Sequence, residues 1–468
     1  MSDIQARFDK LKAATPRLRN TTAEQRSKRL KALWEGVIDR KDDLIAAGKE
    51  ERGLHPVDIA AELVMIKGEI DFAVKNLPKW MKNRKVKNSL NTMGKRCEIQ
   101  YQSKGVVLNL SAFNAPTAEC IVPMIAAIAA GNSIAVKPSE LAPASAQIVE
   151  EIIAGAMPKD EADVFQGGVE VAQELLSLPF NHIYYTGGYN VGKIVMKAAA
   201  DNFATVTLEM GGKNPVIVDK SADLENAAAK IAWGRIMNAG QVCIAPDYAV
   251  VHEDVVKEFT SLLKGKMHEH YNADGTGFEN SAYVPRIINE RHQQRIKGLI
   301  DDAVAKGATV ISGGGGDIED CYIEPTILAN VNDDMTVMQQ EVFGPVISIV
   351  PYKTNQDALD IIAKHPTPLA LYIYSKDKAT TDFLMHNTSS GSAVVNNNCI
   401  QSGTNPRLPF GGAGHSGMGR IGGFAGFESM SNMRSVVYQP LDRFRDFLIM
   451  LPPYSEKYES LIMKGLKK

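Results

Sequence analysis

The chain has 468 residues, 44% of them hydrophobic and 23% charged, with a formal net charge of −2. That is enough material for two or three packed domains, and no charge imbalance draws it to nucleic acid or an anionic membrane. The longest apolar stretches hold about a dozen residues, too few to span a bilayer, and the charged N-terminal stretch lacks the apolar core of a secretory signal.

Leu30, Leu33, Trp34, Val37, Ile38, Leu44 and Ile45 repeat at the spacing of an amphipathic helix, and more helix is expected over 57–83. A polar, basic stretch at 82–95 reads as a connector or arm. An alternating strand is expected at 97–102, then a continuous apolar run at 105–110 of the kind buried in a parallel sheet. Helix and strand then alternate. Helices are expected at 118–130, 144–156 and 191–200, and strands at 133–136, 182–185 and 205–208. This βαβ chaining predicts a parallel sheet covered by helices on both faces. A second series follows, with strands at 248–251, 309–311 and 347–350 and helices at 255–267 and 292–305. Two tandem α/β domains are the expected architecture. The glycines at 313–316 fit no phosphate-loop pattern and read as a surface turn. The apolar run at 447–451, followed by two prolines and a basic end, is expected to pack on the protein itself, with a grazing membrane contact as the other reading.

The five cysteines (Cys97, Cys120, Cys243, Cys321, Cys399) form no CxxC pair and no Cys/His spacing suited to a metal. They point to free thiols in a reducing, cytoplasmic setting and to no metal site. Cys243 stands in the run NAGQVCIA, among small and polar residues. A thiol attacks as its thiolate, so a working cysteine needs partial exposure and nearby positive potential. By spacing alone a lone cysteine is more often a small core side chain.

Other segments carry chemistry of their own. Glu209 stands at the carboxyl end of an expected strand, where ligands of open α/β sheets gather. Two glycines follow it, giving a general base room to swing; a plain surface glutamate is the alternative. A thiol that forms a covalent adduct and a carboxylate that activates water are together enough to make and hydrolyse a thioester. Asn114 follows a buried strand and precedes the apolar helix. Its amide suits an oxyanion donor or an Asx turn capping that helix. No GxGxxG fingerprint is present. Lys137 and Glu140 follow one strand where ribose hydroxyls could be held, and Gly187, Gly188 and Gly192 join another strand to a helix, permitting backbone approach to a pyrophosphate. In the run QEVFGPV, Glu341 and Phe343 point the same way if extended, to grip a ribose and a flat ring. The glycine-rich run at 408–420 has the composition of a flexible loop, with His415 in it.

Together these segments resemble the aldehyde dehydrogenase superfamily, most closely its class 3 branch. The matching runs are VTLEMGGKNP at 206–215, NAGQVCIAPDY at 238–248, EVFGP at 341–345, PLALY at 368–372, LPFGG at 408–412 and PPYSE at 452–456. They occur in order over nearly the whole chain, and the Glu-x-Gly-Gly and Gly-Gln-x-Cys pair is highly specific. The resemblance implies a Rossmann-like cofactor domain at 1–81 and 104–208 and a catalytic domain at 209–404. It implies an oligomerisation arm at 82–103 and 424–440 and a C-terminal tail at 441–468. It also implies NAD as cofactor, with NADP admitted, a small aldehyde as substrate and a homodimer. By the same resemblance Cys243 is the nucleophile, Glu209 the general base and Asn114 the oxyanion donor. Lys137 and Glu140 hold the adenosine ribose, Gly187, Gly188 and Gly192 lie near the pyrophosphate, Glu341 holds the nicotinamide ribose and Phe343 packs near the nicotinamide.

The chain departs from the family around the asparagine. Ala112, Phe113 and Ala115 stand where the family usually has Pro-Trp before it and often an aromatic after it, which alters the substrate wall. The run at 421–424 also lacks the His and Tyr of many class 3 members. Two rival readings are a CoA-acylating relative, which usually lacks the glutamate before Gly-Gly, and a catalytically idle scaffold, against which the three retained residues argue.

Overall fold

A computed structural model describes residues 3–89, 92–401, 405–441 and 452–466. The first sheet has six strands in the order Gly417–Met418, Thr205–Met210, His182–Gly187, Val106–Leu110, Ser133–Lys137 and Ala162–Val164. All are parallel except Gly417–Met418, which returns antiparallel along Thr205–Met210. Alternation along each strand feeds two cores. Val107 and Tyr184 face the layer built by Leu30, Ile66, Ile121 and Met124. Val106, Leu108 and Ile183 face the other layer with Phe8, Leu11 and Phe180. Each fully buried aliphatic side chain contributes about 1.5–3 kcal/mol.

The second sheet has seven strands in the order Thr309–Ser312, Thr326–Ala329, Val346–Tyr352, Tyr248–His252, Pro215–Val218, Ala370–Tyr374 and Ser392–Val395. Only Thr309–Ser312 runs antiparallel, so that expected strand is an edge strand outside the parallel series. Val216 and Ala249 face one core, and Ile217 and Val250 face the other. Between Met210 and Pro215 the chain crosses directly from one sheet to the other.

Local chemistry sets the element ends. The expected amphipathic helix breaks at Arg40 into Ala23–Asp39 and Lys41–Arg52, and Thr22 and Gln25 close a capping box at its start. Helix Pro116–Ala130 is buried along its length except at Glu119 and Val122. Gly131, with φ +81°, then ends it. A third sheet pairs Arg96–Ser103 antiparallel with both Arg84–Val86 and Ser431–Tyr438. Glycines 313–315 connect strand Thr309–Ser312 to the short strand Gly316–Asp317, which Gly316 opens. Among the described residues no helix is long and apolar enough to cross a membrane. The apolar run at 447–451 lies outside the described residues, and helix Glu456–Gly465 beyond it buries none of its residues.

Candidate active site

The loop carrying Cys243 leaves helix Leu224–Ile236 through three consecutive left-handed residues, Asn238 (φ +51°), Ala239 (φ +51°) and Gly240 (φ +72°). Such a turn persists only when its surroundings over-determine it, and here they do. The buried Arg235 guanidinium donates to Pro246 O at 2.7 Å and Gly240 O at 2.8 Å. Gln241 Nε2 donates to Asn238 O at 3.1 Å and Arg286 O at 3.0 Å. Asn214 Nδ2 donates to Cys243 O at 2.8 Å and Ala245 O at 3.0 Å. Asp247 accepts from Val342 N at 2.9 Å and pairs with Lys213 in the buried interior. At Gly240 a Cβ would stand 2.3 Å from Gly344 O, so glycine is required for the approach. The Cys243 side chain is half-buried against the apolar core beneath the second sheet.

Glu209 lies inside strand Thr205–Met210, in register with Thr186 on one side and Gly417 on the other. It is 4% exposed, and neither carboxylate oxygen has a hydrogen-bond partner. Burial and the neighbouring Glu119 push its carboxyl well above the usual range, with Arg420 opposing. The two glycines after Glu209 also serve packing. A Cβ at Gly211 would stand 2.2 Å from the Glu341 carboxylate, and one at Gly212 would stand 3.3 Å from Pro368 and Leu369. They allow close packing where the chain crosses between sheets.

Asn114 occupies the loop after Val106–Leu110. Its backbone carbonyl accepts from Arg52 at 2.5 Å and from Asn238 at 2.8 Å. Its side chain does not cap the next helix. Ala115 is the cap residue, without a side-chain bond, and Glu62 instead takes the Ala118 N–H at 2.6 Å. The Phe113 ring stands 6.0 Å from Phe343 and 5.9 Å from His292, between centroids. Phe343 has φ +44°, so the EVFGP run is not extended there and the same-face argument for Glu341 and Phe343 does not hold.

The charges acting most on Cys243 are negative. Burial comes first, then Glu119, Glu341 and Glu209, and together they push the thiol well above its ordinary value. The positive potential expected around the thiol is therefore not supplied by these neighbours. Glu341 is itself pushed up to about 8 by burial and Asp247, against the Gly212 N–H, Arg235 and Arg295. Local motifs do not mark Glu119, Arg52, Arg235 or Asn238 as site residues. Arg52 and Asn238 reach Asn114 across 62 and 124 positions of chain, while Arg235 braces the nearby Gly240 and Pro246 carbonyls, and Asn238 lies in the NAGQVCIA run itself.

Lys137, Glu140, Gly187 and Gly188 stand at the carboxyl edge of the first sheet, whereas Glu341 and Phe343 precede strand Val346–Tyr352 of the second. Lys137 Nζ donates to Glu140 Oε2 at 2.6 Å and to Pro138 O at 3.0 Å. Helix Tyr189–Asp201 starts at Gly188 with no side-chain cap, and a Cβ on Gly188 would meet nothing within 4 Å. An uncapped helix N-terminus behind open glycine backbone fits a pyrophosphate, and a Lys–Glu pair beside it fits ribose hydroxyls. Gly192 lies inside the helix, where a Cβ would stand 2.5 Å from Met210 Sδ, so its visible work is close helix–sheet packing. His415 stacks on Tyr189, centroids 4.6 Å apart.

Two parallel α/β sheets with a thiol, a buried carboxyl and an uncapped helix N-terminus beside them fit the class of pyridine-nucleotide dehydrogenases. The model of the aldehyde dehydrogenase family matches residues 1–436. The chain is 40% identical over 432 residues to aldehyde dehydrogenase family 3 member A2 of Macaca fascicularis, covering 92% of this chain and 87% of that one. It is 37% identical over 456 residues to the "aldehyde dehydrogenase, dimeric NADP-preferring" of Canis lupus familiaris, covering 97% and 98%. The solved substrate-bound AldH of Staphylococcus aureus superposes with a TM-score of 0.93 at 34% identity, covering 99% and 100%. The chain belongs to the aldehyde dehydrogenase family, and its activity is the NAD(P)-dependent oxidation of an aldehyde.

Proposed function

We propose that Cys243, Glu209 and Asn114 carry this oxidation as nucleophile, general base and oxyanion donor. The Cys243 thiolate adds to the aldehyde carbon. The oxyanion of the resulting thiohemiacetal is held by the Asn114 side-chain amide and the Cys243 backbone N–H. Lys137 and Glu140 would hold the adenosine ribose, Gly187 and Gly188 the pyrophosphate and Glu341 the nicotinamide ribose, with Phe343 nearby, and the dinucleotide so held would supply the acceptor for the hydride lost as thiohemiacetal becomes thioester. Glu209 takes a proton from water, whose oxygen attacks the thioester carbon; the C–S bond breaks and the acid leaves. The observation that carries the reading is a buried, unpartnered Glu209 carboxyl within electrostatic reach of the Cys243 thiol. The CoA-acylating alternative would not use that carboxyl.

The same reading takes 1–81 and 104–208 as the cofactor domain, 209–404 as the catalytic domain and 82–103 with 424–440 as an arm joining two copies. The exposed edge strand Ser431–Tyr438, with Met433 53% and Val437 54% exposed, supports pairing through the arm. A cytoplasmic setting accords with five unpaired cysteines.

Absorbance of reduced nicotinamide, with mass spectrometry of the protein, tests the mechanism. Cys243→Ala should abolish turnover and retain cofactor binding. Glu209→Gln should accumulate a covalent acyl adduct. Full turnover in Cys243→Ala refutes the nucleophile, and full turnover without adduct in Glu209→Gln refutes the base.

A further inference from the structure

Glu119 is one of two residues not fully buried on helix Pro116–Ala130, and its only charged one. Two bonds fix it over the carboxyl end of the first sheet. Its backbone carbonyl accepts from Asn109 Nδ2 at 2.9 Å and from Ser111 Oγ at 3.0 Å. Asn109 is in register with Tyr184, and Thr186, two residues on, is in register with Glu209. By the strand period of two, Asn109, Tyr184, Thr186 and Glu209 face the layer in which this helix packs. Four buried oxygens there, Glu209 Oε1 and Oε2, Thr186 Oγ1 and Asn109 Oδ1, lack a hydrogen-bond partner. The Thr186 hydroxyl lies near enough to Glu119 to favour its ionised form.

A general base sealed from solvent takes a proton from water in each turnover and has to return it. Glu209 is closed in, whereas Glu119 is part-exposed. Resting on the reading of Glu209 as that base, we propose that Glu119 is its proton outlet, reached through the Thr186 hydroxyl. After water has been deprotonated, the Glu209 carboxyl donates its proton to Thr186 Oγ1. The Thr186 hydroxyl proton passes to the Glu119 carboxylate, and Glu119 releases it to solvent. Each oxygen ends as it began, and no other reactant is needed.

Several groups face Glu119 from the elements around it. They are Glu62 on helix Pro56–Trp80, Cys120 on its own helix, Tyr184 and Glu209 on adjacent strands, and Cys243 on its loop. Burial, with Glu62 adding to it and Thr186 opposing, brings the Glu119 carboxyl up to about 7, a value suited to taking and losing a proton near neutrality. Its charge is the largest single electrostatic influence on both Glu209 and Cys243. Glu119 acts through Glu209, as a positioning and proton-transfer residue.

The test compares full-length wild type with Glu119→Gln, Glu119→Asp, Thr186→Val and Glu209→Gln. It follows kcat and KM across the neutral pH range and the acyl-enzyme by mass spectrometry. Glu119→Gln and Thr186→Val should each lower kcat roughly tenfold with little rise in KM and accumulate acyl-enzyme. Glu119→Gln should also lose the near-neutral inflection of kcat, and Glu119→Asp should regain part of the rate. If Glu119→Gln keeps kcat within about twofold and the same pH profile while Glu209→Gln stalls deacylation, the base stands and the outlet is wrong. A rise in KM alone would make Glu119 a substrate contact and overturn the proposal. If Glu209→Gln turns over normally, the base itself is wrong and the outlet falls with it.

Discussion

Asn238 Nδ2 donates to the backbone carbonyl of Asn114 at 2.8 Å, joining the turn before Cys243 to the loop that follows the first sheet's central strand. One hydrogen bond thus ties together the two loops that carry the residues proposed as nucleophile and oxyanion donor. Arg52 reinforces it by donating to the same carbonyl at 2.5 Å. The same Asn238 amide donates to Gln241 O at 3.2 Å, so the link also braces the cysteine turn itself.

Asn238→Gly isolates this link, since glycine keeps the left-handed conformation at φ +51° and removes the amide. The expected result is a loss of kcat/KM of roughly tenfold, about 1.4 kcal/mol of transition-state stabilisation. Stability should fall by about 1–3 kcal/mol, because two carbonyls each lose a donor. Steady-state kinetics and denaturant titration measure both, and an unchanged kcat/KM would show that the bond does not position the centre.

Turnover should rise with pH through neutrality. Burial first, and then neighbouring carboxyls, raise both the Cys243 thiol and the Glu209 carboxyl, and each works only when deprotonated. The stability effect has the opposite sign. A folded-state value raised above the unfolded one means that the folded chain binds the extra proton. The stability contributed by Glu209 is complete below the usual carboxyl range and is lost as pH rises towards its raised value. Glu341 behaves in the same way up to about 8. Glu209→Gln should therefore flatten the pH dependence of unfolding free energy and leave the protein at least as stable at neutral pH. A steeper dependence in the variant would contradict the assignment.

Four of the first sheet's six strands were legible as short apolar runs, opened by glycine or asparagine at Val106–Leu110 and Ser133–Lys137, whereas the short Ala162–Val164 and Gly417–Met418 went unread. Pro215–Val218 and Ala370–Tyr374 form central strands yet went unread. Each spans only four or five residues, buried on both faces, and so carries no alternation to detect. Helix Asp3–Arg19 hid behind its charges, since only Phe8, Leu11, Ala14 and Leu18 are buried. The motif residues of the site could be read locally, but their supports could not. Arg52 meets Asn114 across 62 positions of chain and Lys213 meets Val337 across 124, and no local pattern encodes such pairings. Glu119 did leave a trace, as a lone charge in an otherwise apolar helix.

Gly240→Ala should be damaging, for two separable reasons. At φ +72° a side chain is strained, and its Cβ would stand 2.3 Å from Gly344 O and 2.5 Å from Arg235 Nη2. The backbone strain alone costs about 1–3 kcal/mol. Relief of the clash has to shift either the cysteine turn or the EVFGP loop, so activity should fall further than stability. Gly265→Ala is the control. That glycine lies within helix Val256–Tyr271 with nothing within 4 Å of a new Cβ. There alanine should stabilise by about 0.5–1 kcal/mol. Thermal unfolding and kcat/KM of the two variants decide the matter, and equal behaviour would remove the special role of Gly240.

The adenosine-ribose role proposed for Glu140 makes cofactor choice depend on it. Burial pushes its carboxyl up, but the Lys137 ammonium outweighs that and holds it below the usual carboxylate range, so it is ionised at neutral pH. With its oxygen 2.6 Å from Lys137 Nζ, the carboxylate suits a ribose hydroxyl and repels a 2′-phosphate. Glu140→Gln removes that repulsion and frees Lys137 to pair with the phosphate instead. The pair is partly exposed, so screening keeps the effect modest. The ratio of kcat/KM with NADP to that with NAD should rise by roughly tenfold, and more at low ionic strength than at high, because the attraction being exchanged is between charges. Lys137→Met in the same background should cancel the gain with NADP while sparing the aldehyde KM. A cofactor ratio unchanged by Glu140→Gln at either ionic strength would place the adenosine ribose elsewhere along the sheet's carboxyl edge.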